Sequence, residues 1–517
     1  MKKQTIFLAI IVVLYAIIYA FSFDSKLDFN GDNANYLRLA KHLSEGLGYV
    51  NVNQNGITPT NFYPPAYPFL LSLFMGIGID SLMALKLLDG FFLLASVLGV
   101  FFLIKQLTKN EVLSFVIAEI TVFSTQLMHF SDIVMSEMFY LFTSVACFAC
   151  LYLYSTKENI KFWKSPYFYL AIITAALTYH IRTIGLTVVF AVLVFFLFRK
   201  EFWAALSALG GIFLLFLPWS IRNSALGLES RYFGTIMTVN PWRPEVGSVT
   251  TFGELINKMI ANFDEIVIKG FKEILFPFIT IDYSVPSGIM AIVLGLIILA
   301  IVLYGAWNLG KFRWLMIGYM VANIGLLLLW HGGNGSRYLV TIAPFIFACF
   351  YLGIYNLILL LKLKPKVQSN FPYAFLFMVL LMYSPLKVQS AEAKMPYMPA
   401  FENYFNIAKT MEEKAPKHTI VCCRKPELFL YYAPSMYAVN YAYSLDKKAV
   451  IKDLIDKKVD YVILDQLGFS STYRYLYPAI QEYPKLFPIF WQLQNPDTYL
   501  LKFERTKAIE TLGLNEK

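Results

Sequence analysis

Long apolar runs separated by short polar segments occupy the chain up to residue 386. A helix needs about 20 apolar residues to cross roughly 30 Å of hydrocarbon, and most of these runs approach or exceed that length. The pattern therefore predicts a bundle of transmembrane helices. We expect about eleven spans, at residues 5–23, 81–104, 111–128, 134–154, 167–181, 184–198, 202–219, 288–306, 314–330, 338–361 and 372–386.

The pattern changes after residue 386. Short alternating stretches such as 461–464 predict β-strands, and they are interspersed with helical stretches such as 447–458. The predicted fold class is mainly α: a polytopic transmembrane helical bundle with a small extracytoplasmic α/β domain at the C-terminus. We predict a transmembrane catalytic module at residues 1–386, with large loops at 24–80 and 220–287, and the α/β domain at residues 387–517.

Composition and charge indicate a membrane protein and give no sign of a nucleic-acid partner. Hydrophobic residues make up 58% of the sequence and charged residues 15%, and the formal net charge is +10. This composition is too apolar for a soluble chain of such length. Basic residues such as Lys105, Lys161, Arg199, Lys311 and Lys364 fall in alternate connections between spans, as the positive-inside rule requires. The positive charge therefore reflects membrane topology, and no nucleic-acid binding is expected.

The first apolar run sets the expected orientation. It follows Met1-Lys2-Lys3 and lacks the small-residue cleavage site of a signal peptide, so we interpret it as a retained signal anchor with a cytoplasmic amino end. On this map the loops 24–80 and 220–287 and the C-terminal domain are extracytoplasmic. The expected location is the plasma membrane, which is the inner membrane in a bacterium, with multiple passes.

Ionisable side chains near the ends of the predicted spans gather on one face of the membrane. A charge at the centre of a span costs roughly 2.5–3.5 kcal/mol, so such residues are candidates for function. Guanidinium groups bind phosphate oxygens through paired N–H groups, and a carboxylate can accept the proton of an attacking hydroxyl. The pattern indicates chemistry on a lipid-borne phosphate by Asp32, Asp132, Glu137, Arg182, Arg222 and Arg337.

These candidates also have structural interpretations. Arg222 lies where an arginine at a span end extends toward the interface, and Arg337 opens a span as an ordinary flank would. Glu137 suits the first turn of a helix, and Asp132 suits the cap of the same helix. Arg182 lies in a short turn near the bilayer, where its charge needs a carboxylate or phosphate partner.

The sequence contains no motif for a metal or an organic cofactor. His129, His180 and His331 share no metal-ligand spacing, and the five cysteines form no metal-binding cluster. We therefore expect no cofactor, although a divalent metal is compatible with phosphate chemistry.

Six segments in a fixed order carry a family resemblance. Residues 29–345 contain, in sequence, FNGDNANYLRLAKHLSEGLGY, NFYPPAYPFLLSLF, SDIVMSEMFYLF, HIRTIGL, PWSIRN and GSRYLVTIAPF. This order resembles the GT-C superfamily of polyprenyl-phosphate-sugar-dependent glycosyltransferases, in the branch that contains protein O-mannosyltransferases and lipid A aminoarabinose transferases.

The resemblance implies an inverting transfer of a sugar from a polyprenyl-phosphate donor to an extracytoplasmic acceptor, which is a protein, a lipid or a glycan. Asp32 matches the catalytic aspartate of the family's first loop and is implied as the general base. Many members carry an adjacent Asp-Glu pair there, whereas this chain has Asp32-Asn33. Asp132 and Glu137 align loosely with a second acidic position. The implied lipid-phosphate ligands are Arg182, Arg222, Arg337, Tyr63 and Tyr338.

Two other functions share some of these features. A transporter or flippase of lipid-linked sugars would also have a basic cavity, but the one-sided charges and the lack of an internal repeat do not favour alternating access. A polysaccharide ligase or polymerase would also use arginines, but an acidic first loop is not expected there. The enzyme interpretation is therefore preferred.

Overall fold

The computed structural model describes residues 3–157, 161–230, 232–333 and 335–514. The chain divides into two compact units, which are described separately. The membrane unit comprises Met1–Ser25, Asn61–Met237 and Val249–Lys394, and the sheet unit comprises Lys26–Thr60, Thr238–Ser248 and Met395–Lys517.

Helices dominate the described residues. A π-helix at Asp264–Gly270 separates α12 from α13. The α-helices are, in chain order, α1 (Lys3–Ser22), α2 (Asp32–Ser44), α3 (Ala66–Gly76), α4 (Leu82–Thr108), α5 (Glu111–Val122), α6 (Thr125–Phe130), α7 (Glu137–Thr156), α8 (Pro166–Ile181), α9 (Leu186–Phe198), α10 (Phe202–Ala225), α11 (Tyr232–Met237), α12 (Phe252–Phe263), α13 (Phe271–Leu275), α14 (Ile289–Trp307), α15 (Arg313–Leu329), α16 (Ala343–Leu359), α17 (Pro365–Asn370), α18 (Leu376–Lys394), α19 (Pro399–Lys414), α20 (Pro426–Tyr432), α21 (Lys447–Asp456), α22 (Tyr477–Glu482) and α23 (Arg505–Leu512).

Many helices of the membrane unit are suited to a bilayer. Within the described part of the chain, eight helical runs are long and apolar enough to cross a membrane, and Ala66–Gly76, Pro166–Ile181 and Thr183–Phe198 are shorter apolar helices. The predicted count of eleven spans stays a prediction. The eight longer runs are Lys3–Ser22, Leu82–Thr108, Glu137–Thr156, Phe202–Ala225, Ile289–Trp307, Gly310–Leu329, Gly335–Leu359 and Pro365–Lys414.

Two glycines allow α14 and α16 to pack closely. A Cβ atom added to Gly305 of α14 would lie 1.8 Å from the carbonyl oxygen of Cys349, and one added to Gly353 of α16 would lie 2.3 Å from that of Ile301. Membrane helices lack a hydrophobic driving force toward one another and rely on such close backbone approach for dispersion contacts. Both glycines are therefore required by the packing of these two helices.

The predicted loop 220–287 contains helices α11, α12 and α13 and the π-helix Asp264–Gly270. Thr251 and Glu254 form a reciprocal capping box at the start of α12, where the Thr251 hydroxyl accepts from the backbone N–H of Glu254 at 3.2 Å. Asn262 donates to the backbone oxygens of Leu328 and Trp330, at 2.8 and 2.6 Å, and so fixes the end of α12 against α15.

The sheet unit contains a hairpin and a mixed sheet. The five-stranded sheet has the order β4-β3-β5-β7-β6, in which β4, β3 and β5 are parallel and β7 is antiparallel to both β5 and β6. One sheet face buries Val450, Ile451 and Leu454 of α21. The strands are β1 (Val50–Asn53), β2 (Gly56–Pro59), β3 (Ile420–Cys422), β4 (Tyr437–Val439), β5 (Tyr461–Leu464), β6 (Ile489–Leu493) and β7 (Thr498–Lys502).

The predicted loop 24–80 is shared between the two units, because residues 26–60 belong to the sheet unit. Within that unit, α2 packs against α20. The ring of Phe29 stacks on that of Phe401 with 3.7 Å between centroids, and the hydroxyl of Tyr397 accepts from the backbone N–H of Leu27 at 2.9 Å. The domain division predicted at residue 386 stays a prediction, and the compact units have different bounds.

Candidate functional site

Asp32 is the first residue of α2 in the sheet unit, and its side chain is half-buried. The positive end of a helix dipole stabilises a carboxylate at this position. Gly31 precedes it with φ +94°, a backbone conformation that favours glycine, and a Cβ added there would lie 2.3 Å from Glu427 Oε1. Gly31 thus sets the turn that presents Asp32.

The buried side chain of Asn33 stabilises this turn. Its side chain is fully buried, and its Oδ1 atom accepts from the backbone N–H groups of Gly31 and Ala34, at 3.1 and 2.9 Å. Its Nδ2 atom donates to the backbone oxygen of Asp28 at 3.1 Å. Only an amide side chain can form all of these hydrogen bonds, because a carboxylate has no N–H to donate. The residue in place of the family's second acid is therefore structural in this chain.

Lys425, which the sequence analysis missed, lies beside the same turn. Its Nζ atom donates to the backbone oxygen of Asn30 at 2.8 Å and lies 3.7 Å from Glu427 Oε1. Burial lowers the pKa of Lys425, while nearby carboxylates, including those of Glu427 and Asp32, oppose that change. No local pattern links a lysine after β3 to a loop near the amino end of the chain.

In the membrane unit, Arg182 and Glu137 form an ion pair. The distance from Arg182 Nη1 to Glu137 Oε1 is 2.8 Å, and the same nitrogen donates to Ser136 Oγ at 2.9 Å. The side chain of Glu137 is 1% exposed. The partner that Arg182 needs near the bilayer is thus a carboxylate, which lies at the start of α7.

Asp132 belongs to a second polar group of the membrane unit. Its Oδ2 atom accepts from the backbone N–H of Asp24 at 2.9 Å, and Lys86 donates to the backbone oxygen of Asp24 at 2.6 Å. Asp132 is 3% exposed and Lys86 is 1% exposed. Lys86 was missed by the sequence analysis, although a lysine inside the predicted span 81–104 is itself a signal of function.

Asp89, one turn further along α4, is fully buried. It accepts from the hydroxyl of Tyr67 at 2.6 Å and from the backbone N–H of Met135 at 3.2 Å. These bonds join α3 and α4 to the turn before α7. Asp89 was also missed, and the same rule on ionisable residues within spans would have found it.

Arg337 lines a cavity of about 540 Å³ in the membrane unit. The cavity wall contains two hydrogen-bonded polar pairs: Gln126 Nε2 donates to Ser336 Oγ at 2.5 Å, and the hydroxyl of Tyr283 donates to Glu273. Its other lining residues include His129, Gln389 and Glu392. The wall thus combines the guanidinium of Arg337, which can bind a phosphate group, with the carboxyl groups of Glu273 and Glu392, which oppose an anion.

The remaining predicted ligands lie apart from this cavity's lining. Arg222 donates to Asn223 Oδ1 at 2.9 Å, and its guanidinium lies 4.6 Å from the ring centroid of Trp219. The hydroxyl of Tyr338 accepts from Trp330 Nε1 at 3.1 Å. Tyr63 packs its ring edge to face against Phe62. Among the described residues, no three His, Cys, Asp or Glu side chains are grouped so as to hold a metal ion.

Comparisons with known proteins agree with this architecture. Residues 38–223 match the family model of dolichyl-phosphate-mannose-protein mannosyltransferases. ArnT from Cupriavidus metallidurans bound to undecaprenyl phosphate superposes with a TM-score of 0.57 at 9% sequence identity, covering 98% of this chain and 99% of ArnT. The archaeal oligosaccharyltransferase AglB from Archaeoglobus fulgidus, in complex with an inhibitory peptide and a dolichol-phosphate, gives 0.56 at 13% identity, covering 88% of this chain and 69% of AglB. Curated protein sequences gave no match.

The chain therefore has an ArnT-like GT-C fold, and the predicted resemblance to GT-C membrane glycosyltransferases is confirmed. The predicted fold class, a mainly α polytopic bundle with a small C-terminal sheet domain, is confirmed as well. The apolar helices and this fold indicate a multi-pass membrane protein.

Proposed function

We propose that this chain, with its GT-C fold, is a glycosyltransferase that moves a sugar from a polyprenyl-phosphate donor to an acceptor hydroxyl on the extracytoplasmic side of a plasma membrane. The observation that carries the proposal is the presentation of Asp32 by Gly31 at the start of α2. The structures of ArnT with undecaprenyl phosphate and of AglB with dolichol-phosphate support a lipid-phosphate donor for the shared fold.

In the proposed reaction Asp32 is the general base. Its carboxylate accepts the proton of the acceptor hydroxyl while that oxygen forms a bond to the anomeric carbon of the sugar. The bond from this carbon to the donor's phosphate oxygen breaks, and the lipid phosphate leaves with the electron pair. A single displacement of this kind inverts the anomeric configuration. The leaving phosphate is already a stable anion, so it needs no proton.

The fixed charges around Asp32 suit this role. The amino end of α2 places the positive end of a helix dipole beside the carboxyl group of Asp32. Lys425 holds the backbone oxygen of Asn30, two residues before Asp32, at 2.8 Å. We assign Lys425 as a positioning residue that keeps the turn in place during the reaction.

Within the membrane unit taken by itself, Arg337 and Lys86 are the basic side chains that we propose as separate candidates for binding a phosphate group. Arg337 lines the cavity described above, and Lys86 is a buried ammonium linked to Asp132 through the backbone of Asp24. Arg182 is paired with Glu137, so we propose that this pair orients the start of α7. Arg222, Tyr63 and Tyr338 remain candidates for contacts to the lipid carrier.

Transfer from a panel of radiolabelled polyprenyl-phosphate sugars, measured in membranes, tests the proposal. The Asp32→Asn variant should lose activity by about 10²- to 10⁴-fold, the usual contribution of a general base. The matched control is Asp80→Asn, which makes the same change at an exposed aspartate of the predicted loop 24–80. Protein levels are compared on a blot.

Two results would contradict the proposal. Full activity in Asp32→Asn would remove Asp32 as the base. The wild type in liposomes could instead move lipid-linked sugar across the bilayer without transferring it to any acceptor. That result would favour the transporter interpretation.

A further inference from the structure

The parallel part of the sheet contains a reversal of strand order. The chain runs from β3 to β4 on one side and then returns to β5 on the other side of β3. In open α/β sheets, ligands bind in the crevice outside the carboxyl ends of the strands at such a reversal. Asn440 directly follows β4 and Asp465 directly follows β5, and Arg424 lies two residues after β3.

Charged and aromatic side chains converge at this edge. Arg424 is 9% exposed and Asp465 is 2% exposed. The guanidinium carbon of Arg424 lies 4.5 Å from the ring centroid of Phe469 and 5.7 Å from that of Tyr443. Both rings are half-buried, and Gln466 and Gly468 on the adjoining loop are exposed, so the rim of the crevice meets solvent.

Three buried polar atoms of this edge lack hydrogen-bond partners within the described residues. They are Arg424 Nε, Asn440 Oδ1 and Asp465 Oδ2. The other oxygen of Asp465 accepts from the backbone N–H of Leu467 at 3.1 Å. Because an unpartnered buried polar atom is destabilising, three at one strand edge point to a bound group that supplies the missing bonds.

The chemistry of the three atoms restricts that group. Arg424 Nε donates, whereas the two oxygens accept, so a matching ligand must both accept and donate. Hydroxyl groups do both. A phosphodiester only accepts, and the carboxylate of Asp465 would repel any anion, including inorganic phosphate. The ring of Tyr443 stacks on that of Tyr475, and the ring of Phe469 lies beside Arg424 and Lys425, so aromatic side chains border the polar atoms and can contact the C–H groups of a sugar.

We propose that this crevice, formed by Arg424, Asn440, Tyr443, Asp465 and Phe469, binds a saccharide through its hydroxyl groups. The assignment rests on the proposed function in one respect: we infer that the saccharide is part of the acceptor. Lys425 adjoins Arg424 and contacts Asn30 in the turn that carries Asp32, so the crevice and the proposed base belong to one packed region of the sheet unit. The acceptor is then a glycan or glycolipid.

Saturation-transfer NMR on the full-length protein in detergent tests the binding without any donor. The probes are free hexoses, pentoses, amino sugars and their methyl glycosides, with inorganic phosphate as an anionic comparison. At least one saccharide should receive saturation from the protein and bind roughly tenfold more weakly to Asp465→Asn, because one charge-assisted hydrogen bond is lost. The matched control is Asp460→Asn, at the opposite end of β5, where an amide oxygen still accepts from Ile420 N.

The possible results separate the crevice from the proposed function. Saccharide binding that survives in Asp32→Asn but weakens in Asp465→Asn supports the crevice, whatever the transfer assay gives. In an active wild type, Asp465→Asn should raise KM for the acceptor and leave kcat unchanged.

The crevice proposal fails when no saccharide binds, when Asp465→Asn and Asp460→Asn bind equally well, or when phosphate competes for the site. Phe469→Ala provides a second variant, and thermal unfolding checks that each variant is folded.

Discussion

At the residue scale, the turn before α2 shows what the sequence conveys and what it leaves out. The acidic first loop was identifiable from Gly31-Asp32 and its family resemblance. The role of Asn33 was not identifiable, because its three side-chain hydrogen bonds depend on the folded turn. The role of Lys425 could not be predicted from the sequence, because its hydrogen bond to Asn30 joins residues 395 positions apart.

Replacing Lys425 with Met should lower kcat by about 10- to 100-fold, because a displaced catalytic group loses alignment with the reacting atoms. The donor's KM should stay the same, since Lys425 lies in the sheet unit and is not assigned to the lipid phosphate. Initial-rate kinetics with varied donor check this, with the exposed Lys417→Met as control. Lys425→Arg, which can still donate to Asn30, should recover part of the rate. A kcat equal to that of the control would exclude the positioning role.

Replacing Gly31 with Ala should destabilise the turn, and so lower the transfer activity, for two separable reasons. A left-handed backbone costs a non-glycine residue about 1–2 kcal/mol, and the new Cβ would collide with Glu427. The double variant Gly31→Ala with Glu427→Ala removes the collision but keeps the backbone strain, so it should recover only part of the lost activity. Complete recovery of the transfer activity would show that the backbone strain is unimportant. No recovery would show that the collision with Glu427 is unimportant.

Saccharide affinity should increase as the pH rises through about 6. Burial raises the pKa of Asp465 to about 6, while the Leu467 N–H group and the charge of Arg424 oppose the rise. Below this pH the carboxyl is protonated and less able to accept from a sugar hydroxyl. The neighbouring thiols of Cys422 and Cys423 and the hydroxyl of Tyr441 stay protonated, since burial raises their pKa. Binding titrations from pH 5 to about 7.5 check this, and Asp465→Asn should give a flat profile.

At the element scale, hydrophobic runs located the long helices well because span length follows from bilayer thickness. Helix α12 was missed inside the predicted loop 220–287. Its capping residues Thr251 and Glu254 were a local signal, but their three-residue spacing is easily overlooked beside much longer apolar runs. No local sequence pattern predicts that residues 26–60 belong to the sheet unit, because this depends on packing between α2 and α20.

The contact between α14 and α16 gives a prediction at this scale. Gly305→Ala should reduce the amount of folded protein, because the added Cβ would lie 1.8 Å from a backbone oxygen that cannot rotate away. The control is Gly325→Ala in α15, where an added Cβ meets nothing within 4 Å and helix propensity improves. Fluorescence-detected size exclusion of both variants compares their folded fractions. Equal yields would mean that the two helices separate without loss of the fold.

At the scale of the whole molecule, the fold is specified by many residues along the chain, whereas the candidate site is specified by few. The GT-C fold persists at 9–13% identity to ArnT and AglB because many apolar substitutions preserve a span. The candidate site depends on a few residues, including Lys425 and Lys86, whose neighbours are set by tertiary structure. The sequence could therefore predict the class of molecule and the first acidic residue, but it could not predict the groups that support that residue.

The division of the sheet unit along the chain has a consequence for biosynthesis. Residues 26–60 leave the ribosome early, whereas Phe401, Lys425 and Glu427, which pack around them, are made near the end of synthesis. On the proposed mechanism, a nascent chain already inserted in the membrane still lacks a shaped turn around Asp32. Catalytic competence would then begin only when translation is almost complete, so unfinished chains would not consume lipid-linked sugar.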